Sequence, residues 1–124
     1  MTGLPALLRL TAILVPLLAP GARAHSELRA SEPAEGAVVA APPDRIVLRF
    51  TAPMQVTSLR LLDAAGRERA IRREGARAAA VEELRAAIVA PLPPGLYRVE
   101  YRGLSADGHV GSGAVEFRFQ PARP

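Results

Sequence analysis

The chain has no cysteine and no tryptophan among its 124 residues. Without thiols there is no disulfide to staple the fold and no thiolate to act as nucleophile or soft metal ligand. Lysine is also missing, since all 16 basic residues are arginine, set against 12 acidic ones. Aromatics are limited to two tyrosines and three phenylalanines. All five (Phe50, Tyr97, Tyr101, Phe117 and Phe119) fall on the apolar phase of alternating segments, so none is left for an exposed stacking platform. The only methionines are Met1 and Met54, too few for a cluster of soft thioether donors. The longest apolar run, Leu10 to Ala19, contains Pro16 and falls short of the roughly 20 residues a membrane span needs.

That run does fit an export leader. Arg9 supplies a positive start, Leu10–Ala19 the apolar centre, Pro20-Gly21 a break, and Ala22-Arg23-Ala24 a small-x-small cleavage signature. Residues 1–24 are therefore expected to be a signal peptide, and residues 25–124 the exported domain. Arg9 and Arg23 depart with the leader, leaving 14 arginines against 12 acids. They are scattered and interleaved with apolar residues, as in Arg45-Ile46-Val47-Leu48-Arg49-Phe50. This is the pattern of a solvated strand face, and nucleic-acid binding, which wants basic residues clustered on one surface, is not expected.

The remaining length makes one domain, and its pattern is β. Ile46, Leu48 and Phe50 alternate with Arg45, Val47 and Arg49. Leu59 and Leu61 precede an Asp63-Ala64-Ala65-Gly66 turn. Tyr97, Val99 and Tyr101 alternate with Arg98, Glu100 and Arg102, and Val115, Phe117 and Phe119 with Glu116 and Arg118. Pro33, Gly36, Pro42-Pro43 and Pro93-Pro94-Gly95 punctuate these runs. Several short strands at turn-marked intervals predict an all-β sandwich or barrel. Residues 76–90 stand apart: they are rich in helix formers, with Val81, Leu84 and Ile88 at helical spacing, yet a small sandwich can force such a segment into strand.

The chemistry concentrates on two histidines. Cleavage after Ala24 makes His25 the first residue, where its α-amine and imidazole can close a chelate ring on one ion. The other histidine, His109, lies in Ser105-Ala106-Asp107-Gly108-His109. In an extended segment Asp107 and His109 point the same way. An amine, two imidazoles and a carboxylate match the tetragonal nitrogen and oxygen set that copper(II) favours, although zinc accepts the same donors. An Asp-Gly turn beside a solvated histidine is the plainer alternative.

Ala24-His25, the Ser31/Pro33/Gly36 turn, Pro42-Pro43 before a strand, Gly95-x-Tyr97, and above all Ser105-x-Asp107-Gly108-His109 with Gly113 resemble the CopC family of periplasmic copper-binding proteins. The resemblance spans the exported domain. It implies a seven-stranded Greek-key β-sandwich that binds Cu(2+) through the amine and imidazole of His25 and through Asp107 and His109. It also implies a periplasmic, non-enzymatic role in copper homeostasis or resistance, a possible CopD-type inner-membrane partner, and a monomer. Three departures stand out. Val110 replaces a proline common after the motif histidine, Ala52 replaces an acidic residue that can support a ligating imidazole, and the Met-rich copper(I) loop of some relatives is missing. A copper(II)-only member is expected, with Met54 in core or strand-edge packing. A histidine-brace copper oxidase acting on polysaccharide shares the paired histidines, but it needs an open coordination position, which Asp107 would fill, and a flat, often aromatic surface, which this chain lacks. A sandwich with a vestigial metal site is the third reading.

Overall fold

The computed structural model describes residues 26–123 without interruption, together with residues 2, 3, 5, 6, 12 and 13. The rest of the expected leader, its cleavage point and His25 lie outside the described residues. Among the described residues the backbone is strand and turn, with no helix. The strands are β1 (Leu28–Glu32), β2 (Ala37–Val39), β3 (Arg45–Asp63), β4 (Glu68–Arg69), β5 (Ile71–Arg73), β6 (Val81–Ile88), β7 (Gly95–Ser105) and β8 (Val110–Phe119). The expected all-β class is therefore found, with eight strands where about seven were anticipated.

β3 organises the rest. Its first half, through Arg49 and Phe50, pairs antiparallel with β1 on one side and β6 on the other. Its second half, Met54 to Asp63, pairs with β7, and β4 joins at Leu61 and Leu62. The ladder to β6 breaks between Arg49 and Met54, around Pro53, which has no N–H to contribute. The hydrogen-bonded path runs β2-β8-β7-β3-β6-β5, so one curled sheet supplies both layers of the domain.

The alternation read from sequence places the core. Ile46, Leu48, Phe50, Met54, Val56, Leu61, Leu84, Val99, Val115 and Phe117 form one buried cluster, each contributing about 1.5–3 kcal/mol of apolar burial. Phe50 meets Tyr101 edge-to-face at a centroid distance of 5.4 Å, and Tyr97 stacks on Phe117 at 5.5 Å. All five aromatic rings are buried. Val47, expected on the exposed phase, is buried too, and it lies outside the main cluster.

Residues 81–88 settle as strand β6. Leu84 faces Leu48 and Ala86 faces Ile46 across the β3 ladder, and both are buried. The period-two burial and the backbone bonds to β3 and β5 override the local helix preference. The arginines of the outer faces are matched across strands. Arg98 sits opposite Glu116 in register and 3.3 Å from its carboxylate, and Arg49 pairs with Glu32 and Glu83. Such exposed pairs add little stability individually, but they neutralise the surplus of arginine locally.

Phe117 is 1% exposed at the centre of the cluster. Phe117→Ala should cost about 3–5 kcal/mol, read as a lowered urea midpoint with an unchanged slope. A loss below about 1 kcal/mol would show that the two layers do not share this core.

Candidate metal centre

The Ser105–His109 run closes the β7–β8 hairpin beyond the last pair, Leu104 with Val110. It is a tight turn, not the extended segment expected. Gly108 N donates to Ser105 O at 2.9 Å, and Ser105 N donates to His109 O at 3.0 Å. Gly108 adopts φ +82°, a left-handed conformation that a residue with a Cβ takes at a cost. Asp107 and His109 are nonetheless brought together, by the turn and not by strand alternation.

Asp107 is the organising group of this turn. Its Oδ1 accepts from the Ser105 hydroxyl and, at 3.1 Å, from the His109 backbone N–H. Its Oδ2 lies 2.8 Å from His109 Nδ1. The Ser105 hydroxyl, ahead of the His109 N–H and imidazole, holds the Asp107 carboxyl well below the usual carboxylate range. The carboxylate therefore stays ionised at neutral and mildly acid pH. Its side chain is mostly covered at 19% exposure, whereas the His109 ring is 68% exposed.

The second component is the segment just before β1. Ser26 is buried, and its hydroxyl donates to Pro53 O at 2.7 Å. Glu27 N donates to Thr51 Oγ1 at 3.0 Å, and Thr51 N donates to Glu27 O at 2.8 Å. These bonds pin Ser26 and Glu27 onto the bend of β3. Met54, just past the bend, pairs with Ser105. A cavity of about 380 Å³ is lined by Ser26, Glu27, Met54, Tyr101, Ser105 and His109, among others. Met54 is 1% exposed, as expected of a packing residue, and forms part of this cavity's wall. Gly103 and Gly111 make room for it, because a Cβ at either position would come within about 3.0 Å of Met54 side-chain atoms.

Of the three residues singled out from sequence, the structure joins Asp107 and His109, and His25 lies outside the described residues. Among the described residues no three metal-ligating side chains gather. The Asp107–His109 pair does fit a metal chemically. Two donors at right angles on one ion, each bonded at about 2.0–2.1 Å, stand roughly 2.8–3.0 Å apart, and the observed 2.8 Å matches. The same two atoms can instead share a proton. Sequence reading missed three positioning groups: Ser26, Thr51 and the Ser105 hydroxyl. Ser105 was visible as part of the motif, but nothing in the sequence marked Ser26 or Thr51.

A family model described as the CopC domain matches residues 28–120, and the chain belongs to that family. Among solved structures, CopC from Methylosinus trichosporium OB3b is 30% identical with a TM-score of 0.69, over 81% of this chain and 98% of that one. PcoC, described as a methionine-rich copper resistance protein from Escherichia coli, is 26% identical with a TM-score of 0.64, over 78% of this chain and all of its own. No curated protein sequence matches this chain significantly.

Because Asp107 is held ionised, it stabilises the metal-free fold at pH values above its unfolded pKa of about 3.9, and this contribution fades as pH falls towards its lower folded value. The stability difference between the native protein and Asp107→Asn should therefore be present above about pH 5 and shrink below about pH 4. Urea midpoints across pH measure it. A difference that does not change in acid would remove Asp107 from this role.

Proposed function

We propose that the chain is an exported, non-catalytic copper(II)-binding protein of the periplasm, with His25, Asp107 and His109 as the ligands. The observation that carries this reading is that Ser26, the neighbour of His25, lines the same cavity as His109, whose Nδ1 stands at a cis-donor distance from Asp107 Oδ2. A domain beginning at His25 would deliver an α-amine and an imidazole to that cavity. The donors are then nitrogen and oxygen only, which suits copper(II). Membership of the CopC domain family and the copper resistance role in PcoC's description support copper over zinc.

Binding, not turnover, is the role. Every aromatic ring is buried, so no exposed stacking surface flanks the cavity for a polysaccharide, and Asp107 as a ligand would fill a position that an oxygen-activating centre keeps open. A single buried thioether, Met54, does not make a soft copper(I) site, so the protein handles the oxidised ion. Such a protein buffers copper for homeostasis or resistance, or passes it as a monomer to an inner-membrane partner of the CopD type.

His25→Ala, or one extra residue before His25, should weaken copper(II) binding by more than the ~10–100-fold typical of losing an outer-shell partner. Titration against a competing chelator gives the affinity, and electron paramagnetic resonance gives the donor set. Affinity should fall between about pH 8 and pH 5, because the amine and imidazoles must shed protons to bind. Unchanged affinity in both variants, or a spectrum without nitrogen donors, would overturn the assignment.

A further inference from the structure

A second cavity, of about 340 Å³, lies along β3 beyond Met54, between β3, β4, β5 and the loop that follows β5. Its lining includes Ser58, Arg60, Glu68, Arg69, Arg73 and Arg77. Two of the four arginines are already neutralised. Arg60 donates to Glu68 at 2.5 Å, and Arg69 stands 3.3 Å from Asp63. Among the described residues, Arg73 and Arg77 make no ion pair. The Nε atoms of Arg69 and Arg73 are buried with no hydrogen-bond partner, and a buried donor left unmatched costs free energy. Burial, and then the adjacent Arg77 charge, lower the proton affinity of the Arg73 guanidinium.

Two unpaired guanidinium groups held beside one cavity, with a third arginine only partly engaged, form an arrangement whose missing complement is an anion. Guanidinium forks match the paired oxygens of a phosphate in geometry and charge. We infer that this arginine-lined cavity is an oxyanion site for a phosphate group, either free or on a phospholipid headgroup. It uses no residue of the copper cavity, so it stands whether or not the metal assignment does.

The test titrates the intact, metal-free protein with inorganic phosphate against chloride at matched ionic strength, following backbone and arginine Nε–H signals by NMR. Saturable shifts centred on Arg69, Arg73 and Arg77 are expected, weakened about tenfold or more in Arg73→Gln and in Arg77→Gln and retained in Arg98→Gln. Arg77 is exposed on a loop, so its variant reports on binding without a burden on folding. Flotation with phosphatidylcholine vesicles, with and without phosphatidic acid, separates the sources. Binding lost in both cavity variants identifies the headgroup, and phosphate shifts without flotation identify the free ion. Shifts that merely follow ionic strength, or that persist in both cavity variants, would overturn the proposal.

Discussion

The structure depends on one strand serving two layers. β3 spans 19 residues, and its pairing partners change at the bend around Pro53. Before the bend it belongs with β1 and β6, and after it with β7. A buried apolar phase runs through both halves, so the core is continuous across the turn of the sheet. The same bend presents Thr51 and Pro53 as acceptors for Glu27 and Ser26. The place where the sheet changes layers is thus also the place where Ser26 and Glu27 are tied down, beside Met54 and its ladder partner Ser105.

From that anchor the candidate site follows with few further requirements. Ser105 ends β7 and its hydroxyl fixes Asp107, which in turn fixes both the backbone and the ring of His109. Among the described residues the carboxylate holds Ser105 and His109 through three contacts within one turn, which orients the imidazole. On the proposed function, a proton and a metal ion compete for the same pair of atoms, and the tightness of the turn is what makes either fit. None of these bonds uses the Val110 amide.

Much of this was legible in the sequence. The period-two runs in β3, β7 and β8 gave the class and most of the core, because a half-buried strand must alternate. The Asp107-Gly108-His109 spacing marked the candidate site, but the two side chains meet for a different reason than the one expected. Strand alternation pointed to it, whereas a glycine with positive φ and a capping carboxylate build it. β6 was illegible because Ala and Glu carry a local helix preference that only distant partners on β3 can override. Ser26 and Thr51 were invisible for a related reason. Their role lies in bonds 24 or more residues apart in sequence, and no local pattern records such bonds. The arginines of the second cavity read as scattered charges until β4 and β5 folded them around one space.

The tethering of Ser26 has a practical consequence when set beside the missing lysine. The sequence holds no lysine, so its side chains offer no primary amine to compete with an α-amino nitrogen. Should export trimming leave His25 first, that nitrogen is one peptide unit from a residue locked onto the β3 bend. Amine-selective acylating reagents and amine-coupled sensor chips would then act next to the β3 bend.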